Sequence, residues 1–150
     1  MAKNAAIIMA AGLGTRMKSR IPKILHEVCG KPMLQWVIDA LQPLNLDKIV
    51  VVLGNKNGEE FDLIKGKIEY VIQKEKKGTG HAIMQAEKVL QNFNGNVLIL
   101  SGDVPLITTA TLKDLLTIHQ EQYASATILT ALVDNPAGYG RILKNREQVV

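Results

Sequence analysis

A chain of 150 residues, 47% apolar and 21% charged, has the composition of a globular domain and the length to bury about two-thirds of its unfolded surface. Its net charge of +4 leaves nucleic acid and a phosphorylated small molecule open as partners, but one Trp, three Tyr and two Phe are too few for a base-stacking platform. The single cysteine, Cys29, excludes an intrachain disulfide and a cysteine-built metal site and fits a reducing cytoplasm, and no run of ~18 apolar residues is present to span a membrane.

Residues 5–11 form an apolar run closed by glycines, the pattern of a strand buried in a parallel sheet. The run ends too soon for a signal peptide. Residues 17–30 are basic and irregular, and Pro22 and Pro32 exclude one long helix through them. After Pro32, Leu34, Val37, Ile38 and Leu41 fall at i, i+3, i+4 and i+7 on one helical face, which Pro43 ends. Residues 48–53 read as a second buried strand. Residues 55–66 are polar, with a short helix expected around Phe61 to Ile64, and residues 68–72 read as a third strand. Gly78-Thr79-Gly80 opens a helix whose apolar stripe is Ala82, Ile83, Ala86, Val89 and Leu90. Residues 96–101 read as a fourth strand, and Thr108 or Thr109 caps a helix that buries Leu112, Leu115 and Leu116. Residues 126–133 read as another strand, and Arg141-Ile142-Leu143 as the start of a further one.

Alternating strands and helices give right-handed βαβ units, hence an α/β domain: a Rossmann-like open, mostly parallel sheet with helices on both faces. No repeat or linker interrupts it, so one domain is expected. Gln148-Val149-Val150 resembles the beginning of a strand, so the domain is expected to be truncated.

The stretch Ala10-Ala11-Gly12-Leu13-Gly14-Thr15-Arg16-Met17, with Pro22-Lys23 beyond it, leaves the first strand. Its glycines admit φ values closed to other residues and let backbone N–H groups approach a bound anion. Arg16 adds a planar cationic fork and Lys23 a flexible second cation. It is not a Walker loop, because no Gly-Lys pair is followed by Ser or Thr. Met17 stands where a dinucleotide fingerprint needs its third glycine.

Ligands of open parallel sheets bind outside the carboxyl ends of the strands. Gly102-Asp103-Val104-Pro105 leaves the carboxyl end of the fourth strand, so topology brings Asp103 beside the Gly12–Arg16 region. A carboxylate beside phosphates suits Mg²⁺, although an aspartate there also caps turns. Gln73 carries both an amide donor and an acceptor, which match a pyrimidine edge. A solvated strand end is the plainer reading. Lys74-Glu75-Lys76-Lys77 reads as solvated surface. His81 and His26 read as packed or capping, and His119 as half-buried and satisfied. No serine or cysteine is placed beside a histidine, which excludes a nucleophilic triad.

Four blocks stand in order: A-A-G-L-G-T-R-M with P-K-I-L-H and G-K-P-M; Gln73 with G-T-G-H-A; G-D-V-P-L; and G-Y-G-R-I. Together they resemble the uridylyltransferase domain of the bacterial bifunctional enzymes that make UDP-N-acetylglucosamine. The first block alone marks only the wider group of sugar-nucleotide pyrophosphorylases. The resemblance implies Mg²⁺-dependent uridylyl transfer from UTP to N-acetylglucosamine 1-phosphate, in the cytoplasm, for cell-envelope precursors. It implies that Met9, Ala10, Ala11 and Gly12 contact the nucleotide through backbone and that Arg16 and Lys23 neutralise its phosphates as catalytic cations. Gln73, Gly78 and Thr79 would read the uracil, Asp103 would hold Mg²⁺ beside Ser101 and Gly102, and Gly140 would meet the sugar. Relatives often carry an aromatic residue where Ser101 stands. The resemblance also implies a second metal ligand, further sugar contacts and a trimeric left-handed β-helix for acetyl transfer, all beyond Val150. Transfer of a different nucleotide (CTP or GTP) or to a different sugar phosphate stays open, as does a non-catalytic nucleotide-binding module. Nucleic-acid binding rests on charge alone.

Overall fold

The computed structural model describes residues 3–12, 14, 17–19, 21–54 and 64–143. Strand β1 (Lys3–Ala10) is followed by a two-residue pair, β2 (Glu27–Val28) and β3 (Lys31–Pro32), and by helix α1 (Met33–Leu41). Then come β4 (Lys48–Leu53), β5 (Glu69–Ile72), two short helices α2 (Thr79–Met84) and α3 (Glu87–Leu90), β6 (Gly95–Ser101) and α4 (Thr109–Glu121). The chain forms two compact units, 1–114 and 115–150, divided within α4.

In the first unit β5, β4, β1 and β6 lie side by side in that order, all parallel. This is the α/β sheet expected from the alternating pattern. The register sets Met9 beside Val52 on one flank and beside Ser101 on the other. The β1-to-β4 crossover runs one way along the sheet, and the β5-to-β6 crossover runs the other way past two strands. Right-handed crossovers of opposite direction put α1 and the α2–α3 pair on opposite faces. On the α2–α3 face Ile7, Val50 and Val52 pack with Ala82 and Ala86, flanked by Met9, Val71, Ile83, Val89 and Leu90. The stripe read from the sequence is therefore the buried one. It is carried by two helices, because the backbone breaks at Gln85–Ala86. Residues of the alternate set (Ala6, Ile8, Val51, Leu53) face the other side and are equally buried. Leu34, Val37, Ile38 and Leu41 of α1 are sealed from solvent, as their spacing requires.

The basic stretch after β1 is more ordered than its prolines suggest. Pro22 precedes a single 3₁₀ turn, Lys23–Leu25, whose Ile24 and Leu25 are buried. Cys29 and Gly30 both take positive φ (52° and 73°), which joins β2 to β3 in a tight turn. The Trp36 indole N–H donates to Val28 O at 2.9 Å, and Lys31 Nζ stands 4.0 Å from the centre of its ring, fixing this hairpin on α1.

Thr108 caps α4 by accepting from the Thr111 N–H at 3.2 Å, while the Thr109 hydroxyl donates to Ala40 O of α1 at 2.8 Å. Leu112 is fully buried, but Leu115 and Leu116 are only half-buried.

In the second unit α4 ends with Tyr123 at φ 49° and the Ala124 N–H on His119 O at 3.1 Å, a left-handed cap. His119 is half-buried and its Nδ1 is 2.9 Å from Thr127 Oγ1, which satisfies it as expected. The strand expected at 126–133 is not formed, nor is one begun at Arg141-Ile142-Leu143. A strand exists through its ladder, and among the described residues no neighbour pairs with either segment; Ile128 and Leu129 are 62% and 55% exposed. The expected strand at 148–150 and most of the expected helix around Phe61 to Ile64 lie outside the described residues.

Candidate functional site

Strand order reverses between β1 and β6, because the two crossovers diverge there. That is the switch point at which an open parallel sheet receives its ligand, outside the carboxyl ends of the strands. Met9 and Ala10 end β1, followed by Ala11 and Gly12. Ser101 ends β6, followed by Gly102 and Asp103. The Gly102 N–H donates to Met9 O at 2.9 Å, tying the two exits together. On the other flank the Gln73 N–H donates to Leu53 O at 2.7 Å and brings the end of β5 to the same edge.

Lys23 reaches this edge through the 3₁₀ turn. Ile24 lies over Gly102, where an added Cβ would come within 3.3 Å of Ile24 Cγ2, so the turn is seated on the β6 exit. Its ammonium donates to Asp103 Oδ2, and the Ser101 hydroxyl donates to Oδ1 at 2.5 Å. The hydrogen bond from Lys23, then that from Ser101, holds the Asp103 carboxyl below the usual carboxylate range, outweighing partial burial. At neutral pH the site therefore presents a carboxylate with a cation across it, joined over 80 residues of chain. The ion pair and the role of Ser101 as a donor were not read from the sequence, where Ser101 stood beside Asp103 as a lining residue in the place of an aromatic. A hydroxyl two residues before the aspartate was the available signal.

The glycine loop is tuned by one glycine rather than two. Gly14 has φ 59°, and a Cβ there would lie 2.7 Å from Lys23 Cβ. Gly12 does not need a left-handed backbone; a Cβ on it would meet nothing within 4 Å among the described residues. Its value is open space over the backbone, room for a ligand to approach. Arg16 lies outside the described residues. Gly14→Ala is expected to displace Lys23 from Asp103 and to cost about 1 kcal/mol or more in backbone strain. A urea midpoint unmoved from the parent would refute it.

Gln73 is not a solvated strand end: it is 3% exposed, the one buried polar or charged residue among those described. Its amide nitrogen donates to Gly78 O at 3.1 Å and lies 3.0 Å from His81 Nδ1. Gly78 enters α2 at φ 95°, and it and Thr79 are exposed beside Gln73. His81 is thus packed against Gln73, a contact that its helix-start position hinted at without naming the partner. Lys74 to Lys77 are exposed, with a Lys77–Glu75 pair, as expected of solvated surface. Gly140 belongs to the second unit, where it is exposed after the Pro136–Tyr139 turn.

The MobA-like NTP transferase domain family matches residues 6–144. The chain belongs to this family. The family's name agrees with a lysine and a carboxylate paired at the switch point. The chain is also 48% identical over 140 residues to the bifunctional protein GlmU of Thermoanaerobacter pseudethanolicus, covering 93% of this chain and 30% of that protein. It is 46% identical over 145 residues to the bifunctional protein GlmU of Listeria monocytogenes, covering 97% and 32%. The chain thus spans about a third of the length of the curated relatives it matches. Among solved structures, a UDP-glucose pyrophosphorylase complexed with UDP-glucose superposes with a TM-score of 0.64 at 25% identity, over 82% of this chain and 55% of that one.

Among the described residues no three His, Cys, Asp or Glu side chains gather to hold a metal. One hard, ionised oxygen donor, Asp103, fits a cation such as Mg²⁺ that takes the rest of its shell from water and substrate phosphates. Among the same residues no helix is long and apolar enough to cross a membrane. An open cleft lined by Lys3, Asp47, Lys48 and Lys88 lies at the amino ends of β1 and β4, opposite the site.

Proposed function

We propose that the chain is the nucleotide-binding part of a uridylyltransferase that converts UTP and N-acetylglucosamine 1-phosphate to UDP-N-acetylglucosamine and pyrophosphate, in the cytoplasm. The observation that carries the reading is the Lys23–Asp103 pair at the β1/β6 switch point, beside a glycine loop with open space above Gly12. The substrate pair rests on the similarity to GlmU proteins. Assembly as a homotrimer and the acetyltransferase half belong to the same proposal, and so does the placing of residues 1–150 in one nucleotidyltransferase domain.

A sugar phosphate is mostly dianionic near neutral pH, its second pKa being about 6. It needs no strong general base to become a nucleophile. One of its oxygens attacks the α-phosphorus in line, the bond to the β-phosphate oxygen breaks, and pyrophosphate leaves with that electron pair. Met9, Ala10, Ala11 and Gly12 line the nucleotide with backbone. Lys23, released from Asp103, and Arg16 take the phosphate charge, so that positioning and charge neutralisation do the catalysis. Gln73, Gly78 and Thr79 hold the base, Ser101 and Gly102 wall the site, and Gly140 meets the sugar. Asp103, kept ionised and oriented by Ser101, would hold Mg²⁺. The ion would supply charge neutralisation on the phosphates.

Calorimetric titration of the chain with UTP, with and without Mg²⁺ and with CTP as control, tests this. Selective UTP binding strengthened by Mg²⁺ is expected. Metal-independent, base-indifferent binding would instead make the chain a nucleotide-binding module.

A further inference from the structure

Gln73 is a buried carboxamide whose two ends have unequal surroundings. The carbonyl oxygen of Gly78 only accepts, so the group 3.1 Å from it is the amide nitrogen. The same nitrogen lies 3.0 Å from His81 Nδ1, which therefore accepts, leaving the imidazole proton on Nε2. Gln85 donates to His81 O at 3.0 Å; its amide nitrogen also lies 3.3 Å from His81 Nε2, but with the proton on that nitrogen the contact sets donor beside donor and does not hold the ring. Both amide hydrogens of Gln73 are consumed. Its Oε1 takes no hydrogen bond from the described residues.

The carboxamide thus offers a bare acceptor and no donor. Uracil carries a hydrogen on N3, whereas cytosine carries a lone pair there. An acceptor opposite N3 suits the first and repels the second. Turned by half a revolution, the same amide would reverse the preference, but its oxygen would then oppose Gly78 O, and the His81 ring would have to carry its proton on Nδ1 to pair with it. We infer that His81 is a positioning residue that, through Gln73, sets uracil over cytosine. The inference rests on the proposed nucleotide reading and on Gln73 facing the base.

His81→Ala and His81→Phe, the second keeping ring bulk without nitrogen, remove one of the two acceptors that fix the amide. Each is expected to narrow the UTP-to-CTP affinity ratio by about tenfold, the worth of one net hydrogen bond at the upper end of its range. His81→Asn, which restores an acceptor oxygen, is expected to recover much of the ratio. If His81→Ala unfolds, judged by circular dichroism, His81→Phe is read in its place. The side-chain NH₂ resonances of Gln73 give a second readout, expected to move in both removal variants. A parent that prefers UTP, with removal variants that weaken UTP and CTP alike, would overturn the inference and leave the nucleotide reading standing. A parent with no preference for UTP would overturn the uridylyltransferase reading itself.

Discussion

Lys23→Ala is expected to lower kcat by about two to three orders of magnitude, the usual loss for one charge-stabilising group at a reacting phosphate or carbonyl. The nucleotide KM is expected to change by less than about tenfold, because in the proposed mechanism the lysine acts most where charge builds up at the departing pyrophosphate. Steady-state pyrophosphate release with UTP and N-acetylglucosamine 1-phosphate measures both. An unchanged kcat would remove Lys23 from the catalytic machinery. A second consequence is independent of turnover. Lys23 occupies Asp103 Oδ2, so its removal uncovers a carboxylate oxygen. Mn²⁺ binding to the nucleotide-free chain, followed by water-proton relaxation, is expected to tighten in Lys23→Ala, and weaker binding would show that the lysine does not compete with the metal.

The Lys23–Asp103 pair is not legible in the sequence, although its neighbourhood is. The parallel sheet followed from apolar runs such as 48–53, because a strand buried on both faces needs no alternation and advertises itself in composition. The placement of Asp103 near the glycine loop followed from the carboxyl-end rule, since β1 and β6 are neighbours in the sheet. What the rule could not supply was rotamer and reach. Lys23 meets Asp103 because Ile24 and Leu25 bury a single 3₁₀ turn, a feature too short to leave a period in the sequence. The reading of Gln73 as a solvated strand end failed for a related reason. Burial of a strand-end amide depends on a helix arriving from residues 79–84 to cover it, and a polar residue beside a lysine run reads as solvent-facing until that helix is placed. The strand expected at 126–133 failed in the opposite sense. Its β-branched composition was real, but composition does not provide a neighbour.

Asp103→Asn separates the electrostatic and structural roles of this residue. The amide keeps the shape and still accepts from Ser101, but it carries no charge. Mg²⁺ is expected to lose its effect on UTP affinity in this variant, and kcat to fall by about two orders of magnitude or more. Undiminished Mg²⁺ enhancement in the calorimeter would move the metal elsewhere. The stability effect is small and has a defined pH course. In the folded chain the carboxyl sits below its ordinary value because of Lys23 and Ser101. The folded state therefore binds the proton less well than the unfolded chain, whose value is about 3.9. The stabilisation is complete above that value and is lost as pH falls through the lower, folded one. The partners are 39% and 28% exposed, so solvent screening keeps the pair at about 1 kcal/mol or less. The urea midpoints of parent and Asp103→Asn are expected to differ by a constant amount from pH 7 down to about 5 and to converge only in stronger acid. A gap that closed near neutrality would mean that a different group titrates. Combining Lys23→Ala with Asp103→Asn completes the cycle. The two losses in kcat are expected to be far from additive, because each variant also disturbs the partner that the other removes.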